Sequence, residues 1–278
     1  MTNPQIFTVK ELTTANYRID IRYDGQDYYG WQRHKGKPTI QGTLEKAVKE
    51  CFSLRTNVEG SSRTDRGTHA LGQVATLQLP KDIDEKEAFL NFNKALPATI
   101  EITNLQRVES DFHARSSAIG KCYHYQIWND LDMPEELQGK VWYIPEELDV
   151  ERMLDACSLF VGTMDYASFA KVPNYNRSTT IKTIYSLVLR MDEPLLDFSI
   201  IGNSFLYKMV RNIIRAIVKV GEGRISLKKL SHIIEAKTRQ ASPGTAPASG
   251  LYLDSVFYDQ TSLNNAISKE KEEEEQDE

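Results

Sequence analysis

The chain has 278 residues, 40% of them hydrophobic, with 34 Lys and Arg against 39 Asp and Glu for a formal charge of −5. That size and composition fit a folded chain of one large domain or two modest ones. No run approaches the roughly 18 apolar residues of a membrane span, and the opening MTNPQIFTVKELTTANY lacks the basic flank and apolar stretch of a signal peptide, so a cytoplasmic protein away from membranes is expected.

In chain order, residues 1–16 form an expected N-terminal arm. YRIDIRY at 17–23 alternates, with Ile19 and Ile21 in register as in a strand, and runs into the turn pair Asp24-Gly25. After Thr39, an N-cap residue type, Ile40, Leu44, Ala47, Val48 and Cys51 recur at helical spacing opposite Glu45, Lys46, Lys49 and Glu50. A short strand is expected at 57–60, then the loop SSRTDRGTHA at 61–70, then a strand in which Val74, Thr76 and Gln78 alternate with Ala75, Leu77 and Leu79. EKEAFLNFNKA at 85–95 reads as a helix and 100–108 as a strand, giving the order β-α-β-β-α-β.

The second half repeats that order: strand 122–128, helix 150–160, strands 181–190 and 195–201, helix 205–220, a shorter helix at 227–236 and strand 251–258. The halves share no visible sequence identity, so the repeat is one of topology. The expected fold class is α+β, with two ferredoxin-like β-α-β-β-α-β units at 17–111 and 112–260. Joined edge to edge they would share a long antiparallel sheet with helices on one face, leaving the other face and the seam as a central cleft suited to a polyanion. Residues 261–278 end in KEKEEEEQDE, a charge run expected to be a disordered acidic tail. Without its seven acids and two lysines the body holds 32 of each sign, so any RNA surface must come from clustered bases rather than net excess.

Three stretches carry chemistry. The loop SSRTDRGTHA sets Asp65 between Arg63 and Arg66, among hydroxyls and His69, with Gly67 free to take positive φ. An exposed hairpin loop with an Arg–Asp pair worth under about 1 kcal/mol and a catalytic loop are both compatible with it. On the helix at 205–220 an apolar stripe of Phe205, Met209, Ile213, Ile217 and Val220 runs beside Lys208, Arg211, Arg215 and Lys219, which suits a solvated basic face, phosphate contact, or a guanidinium aimed at a carboxylate elsewhere. DFHARSSAIGKCYHYQI gathers His113, Arg115, Lys121, Tyr123, His124 and Tyr125, with Tyr123 and Tyr125 on one strand face and Cys122 and His124 on the other. Aromatics beside bases suit RNA stacking, yet tyrosine in a strand is commonly core, and the sequence leaves that choice open. Cys51, Cys122 and Cys157 are widely spaced and lack CxxC, and the five histidines form neither HExxH nor HxE, so no metal and no disulfide framework are expected.

Together YDGQDYYGWQR, SSRTDRGTHALGQVA, FHARSSAIGKCYHYQIWN, GNSFLYKMVRNII and APASGLYL, in this order over nearly the whole chain, resemble the bacterial tRNA pseudouridine synthase A family. The resemblance implies the pseudouridine synthase fold with its doubled ferredoxin-like halves, and isomerisation of uridine to pseudouridine in the anticodon stem-loop of tRNA, commonly at positions 38–40. It further implies a homodimer, no cofactor and tRNA as partner. By the same resemblance Asp65 matches the catalytic aspartate, Arg63 the arginine that displaces the target base, Tyr123 the active-site tyrosine, Arg211 the arginine paired with the aspartate, and Leu251 an apolar pocket residue. Ser62, Arg66, Thr68, Cys122 and Arg215 depart from the residues usual in the family. Arg66 and Arg215 are expected to add positive charge near the chemistry, and Cys122 to remove one.

The reaction breaks the N1–ribose bond, turns the uracil and rejoins it through C5, with no net gain or loss. Asp65 could attack the sugar or remove a sugar proton. Two other readings are an RNA-binding module without catalysis, which would not need Asp65, and a glycoside-type hydrolase, which wants two carboxylates about the bond.

Overall fold

The computed structural model describes residues 13–170 and 179–277. The first strand, β1 (Thr14–Tyr23), buries Tyr17, Ile19, Ile21 and Tyr23, while Arg18 and Asp20 pair on its opposite face. That alternation is what a strand with one face on a core demands. It starts three residues earlier than the sequence pattern indicated, because Asn16 Nδ2 donates to the carbonyls of Glu109 and Phe112 and ties this end down. The rest of the expected arm, residues 1–12, lies outside the described residues.

The helix α1 (Ile40–Phe52) opens where Thr39 Oγ1 accepts from Gly42 N and buries Ile40, Leu44, Ala47 and Val48. There follow β2 (Glu59–Gly60), β3 (His69–Pro80), α2 (Glu85–Ala95), capped by Asp84, and β4 (Ile100–Arg107). The second half comprises β5 (Gly120–Trp128), β6 (Trp142–Tyr143), α3 (Val150–Ser158), β7 (Gly162–Asp165), β8 (Ile181–Asp192), β9 (Leu195–Gly202), α4 (Met209–Gly221), α5 (Leu227–Glu235), β10 (Leu251–Phe257) and α6 (Gln260–Asp277).

Among the described residues all ten strands join one sheet in the order β4-β1-β3-β10-β5-β9-β8-β7, with β2 on β3 and β6 on β5. The sets β4-β1-β3-β2 and β10-β5-β9-β8 show the same permutation, so the halves are topological repeats of the split β-α-β unit. Because β2 is only two residues long and pairs at Ala75 and Thr76, it leaves the His69–Ala70 end of β3 to Tyr252 and Leu253 of β10. The sheet is mostly antiparallel, but this seam runs parallel, a difference from the all-antiparallel junction expected.

Two further expectations are corrected. The helix expected at 205–220 begins at Met209; Phe205 turns away to meet Tyr123 edge-on at 5.2 Å, and Lys208 adopts φ 63 at the N-cap. The tail expected to be disordered from 261 instead forms α6. Asp259 Oδ1 accepts from Ser262 N at its start, Leu263 packs with Cys122, Ile201 and Phe257, and Glu270 pairs with Arg190 and accepts from Ser199 Oγ at 2.9 Å. The apolar residues Leu263, Ala266 and Ile267 recur at helical spacing just before the charge run, and the run itself supplies the anchoring Glu270. Thus α6 covers the sheet face carrying Cys122, and the cleft lies on the face where Tyr123 and Tyr125 meet the main core, rather than on the opposite one.

Candidate active site

Short β2 delivers the chain into the 61–68 loop, which is braced from beneath. Gln73, fully buried on β3, accepts from Ser61 Oγ at 2.8 Å and from Ser62 N at 3.2 Å, and donates to Ser62 O at 2.9 Å. Tyr23 OH meets Thr64 Oγ1 at 2.8 Å, and Trp31 N donates to Thr64 O at 3.1 Å. The turn closes through Thr68 N to Asp65 O at 3.1 Å, with Gly67 at φ 76. The segment carrying Gly25 and Gly30 lies flat against this backbone: a Cβ on Gly25 would stand 1.9 Å from Thr68 O, and one on Gly30, at φ 83, 2.6 Å from Thr64 O. The glycines of YDGQDYYGWQR therefore position a loop some 40 residues downstream.

The opposite wall comes from the second half. Arg211, in the first turns of α4, directs Nη1 to Asp65 Oδ2 and Nε to Ala246 O at 2.8 Å, while its own carbonyl accepts from Ala246 N at 3.0 Å. Both side chains of the Arg211–Asp65 pair are largely buried, at 13% and 16% exposure. Tyr123 OH donates to Ser62 Oγ at 3.0 Å, and burial pushes its phenol up to about 12, with smaller effects from Ser62 and the nearby Asp65 charge. It is thus an uncharged donor at neutral pH. Leu251, at the start of β10 and 7% exposed, supplies an apolar wall.

These groups line one cleft of about 850 Å³, open on one side, over the seam of the two halves. All five residues singled out from the sequence, Arg63, Asp65, Tyr123, Arg211 and Leu251, lie on its surface, although Leu251 stands 186 positions from Asp65 in the chain. Arg63 is at the exposed mouth, where Arg66 also stacks over Tyr29, 4.2 Å from its ring centre. Arg215 does not line the cleft: it faces Glu222 at 3.5 Å and stacks over Trp142 at 5.1 Å. Nor does Cys122, so two of the departures expected to alter charge at the chemistry act elsewhere. Sequence reasoning missed Gln73 and Tyr23 as braces. A glutamine at an inward position of an apolar strand was the available signal.

Cys122, His124 and Glu270 bring ligand-type atoms within 4.8 Å of one another. Each is engaged by protein: Cys122 Sγ lies 3.5 Å from Ser199 Oγ, His124 Nδ1 2.8 Å from Asp197 Oδ2, and Glu270 meets Arg190. Burial opposes a charge on His124, but the Asp197 carboxylate and the Cys122 sulfur together outweigh it and hold the imidazole well above its ordinary range. This cluster is under α6, away from Asp65.

The chain matches the family model described as tRNA pseudouridine synthase over residues 20–115 and 156–259. It is 38% identical over 243 residues to tRNA pseudouridine synthase A of Acetivibrio thermocellus, spanning 87% of this chain and 99% of that one. Corresponding figures for tRNA pseudouridine synthase A of Caldicellulosiruptor bescii are 39%, 87% and 99%, and for that of Methylacidiphilum infernorum 37%, 89% and 97%. With identity at this level across nearly the full length of each relative, the chain belongs to the tRNA pseudouridine synthase family of isomerases.

Proposed function

We propose that this protein converts uridine to pseudouridine in the anticodon stem-loop of tRNA, at positions 38–40, with Asp65 as the acting carboxylate. One observation carries the assignment: Asp65, on a braced loop of one half, is met by Arg211 of the other inside a cleft walled by Tyr123 and Leu251. The isomerisation needs the C1′–N1 bond broken, the uracil turned, and a C1′–C5 bond formed as the C5 proton leaves and N1 takes one up. Asp65 supplies the carboxylate for the first step, either attacking the sugar or removing a sugar proton. Arg211 gives that carboxylate a cationic partner and, bound to Ala246 O as well, fixes its direction.

Leu251, Tyr123 and Phe205 shield the detached base from water, which would otherwise turn the reaction into hydrolysis. A uridine in a stem reaches Asp65 only by leaving the stack, at a cost of a few kcal/mol, and Arg63 at the mouth fills the vacated space with its planar guanidinium. No cofactor enters this scheme. The cytoplasm is the compartment proposed, and no helix among the described residues is long and apolar enough to cross a membrane. The resemblance also carries a homodimer, for which light scattering at micromolar concentration should give about twice 31.7 kDa; a mass of 31.7 kDa alone would sink it.

The test is release of tritium from tRNA labelled at uridine C5, using tRNA unmodified in the anticodon arm. The expected result is release by the intact protein and none by Asp65→Ala or Asp65→Asn with tRNA binding retained. Free uracil as product would point to a hydrolase, and tRNA binding without release by the intact protein would overturn the proposal.

A further inference from the structure

Arg115 and Lys121 belong to neither the chemistry at Asp65 nor the core, yet both line the cleft beside Arg63. Arg63 stands two residues before Asp65; Lys121 stands two before Tyr123 and shares its strand face. Lys121 Nζ donates to Ser61 O at 3.0 Å, and Arg115 Nη2 donates to Gly60 O at 3.3 Å. Both cations thus hold consecutive carbonyls of the segment that leads into the Asp65 loop. Among the described residues none of the three forms an ion pair with a carboxylate within 4 Å. Glu59, whose charge acts on Arg115, is itself bound to His113 at 2.7 Å and accepts from Asn57 at 2.7 Å.

The three cations also act on one another. Burial first, and then the Arg63 charge, lower Arg115; burial first, and then Arg115, push the Lys121 ammonium down to about 8. Crowding like charges at a partly buried rim is unfavourable in the free protein and is relieved by an anion. One carbonyl each leaves two ammonium protons of Lys121 and most of the Arg115 fork unused. Asp65 and Arg211, by contrast, neutralise each other in the same cleft, which Leu251 also lines. Uncharged base and sugar suit that pair, and an anion suits the three cations.

We propose that Arg63, Arg115 and Lys121 form a phosphodiester subsite that takes one backbone phosphate adjacent to the reacting uridine and so sets the direction in which the RNA strand crosses the cleft. This rests on the proposed function in assuming that the cleft receives a nucleotide. The two non-bridging oxygens of a phosphodiester match a guanidinium fork together with an ammonium point charge.

The test uses an anticodon stem-loop RNA bearing one target uridine, made in a series where single phosphates around it are replaced by neutral methylphosphonates. Binding is read by fluorescence anisotropy with the intact protein, Lys121→Gln, Lys121→Arg and Arg115→Gln, each checked for a native melting transition; Arg115 is exposed, so its variant keeps the test alive if Lys121→Gln misfolds. One methylphosphonate position should weaken binding to the intact protein by about tenfold and add little to the loss in Lys121→Gln or Arg115→Gln. Each of these two variants should lower the slope of log affinity against log salt by about one, and Lys121→Arg should restore it. Losses that multiply at every position, or variants that leave affinity and slope unchanged, would overturn the subsite. Tritium release from the unsubstituted RNA is followed in parallel. Release without coupling refutes the subsite alone, whereas coupling without release supports it and refutes the isomerase assignment for this RNA.

Discussion

At the scale of single residues the site is governed by how charge is partnered. Arg211 spends Nη1 on Asp65 and Nε on Ala246 O, two directions that a lysine ammonium on a flexible stem cannot serve together. We predict that Arg211→Lys lowers the single-turnover rate by about a hundredfold while changing tRNA affinity far less, read by tritium release against anisotropy. Arg211→Met strands a largely buried carboxylate, and urea unfolding should show a loss of about 3 kcal/mol, smaller when Asp65→Asn is added. Lys121 carries a pH prediction. Burial and Arg115 place its titration at about 8, below the ordinary lysine value, so the free protein is charged there below that pH and neutral above it. Affinity for the stem-loop RNA at fixed ionic strength should therefore fall as pH rises from 7 to 9, and Lys121→Arg should flatten the profile. Tyr123, raised to about 12 by burial, contributes no inflection in that window.

Among elements, the loop of Asp65 shows how a short strand and a flat neighbouring segment place a carboxylate. The glycine at position 30 sits at φ 83 with no room for a Cβ beside Thr64 O, so Gly30→Ala should cost about 2 kcal/mol in thermal unfolding and displace the loop, lowering turnover as well. A deeper brace is Gln73. Its removal in Gln73→Leu would leave Ser61 and Ser62 groups buried without this partner, and we expect a similar loss of about 2 kcal/mol by denaturant titration. Most of the helices and strands were legible before folding because Ile19, Ile21, Leu44 and Val48 announce their period. The missed pieces have little period to show: β7 is four residues long and β6 two. The start of α4 was misplaced because Phe205 and Met209 fit one helical stripe in sequence while serving different surfaces, the cleft and the core.

For the whole molecule, the two halves meet through a parallel seam of two residue pairs, and the site exists only where they meet. The face that holds the cleft is separate from the face covered by α6. Truncation after Tyr258 should therefore expose Cys122, Ile201 and Phe257, lower the melting temperature and increase binding of an apolar dye, while tritium release at low temperature stays close to that of the full chain. Loss of release at a temperature where the truncated protein remains folded would contradict this separation. The sequence alone determined the order of the main strands and helices of each half, the topological repeat and the motifs around Asp65, Tyr123 and Arg211, because local period and residue type are properties of contiguous chain. The parallel seam, the side of the sheet that holds the cleft, and the removal of Arg215 and Cys122 from the cleft were decided by tertiary structure. Those features depend on which strand edge β2 leaves uncovered and on how α6 packs, and such long-range contacts leave no local period in the sequence.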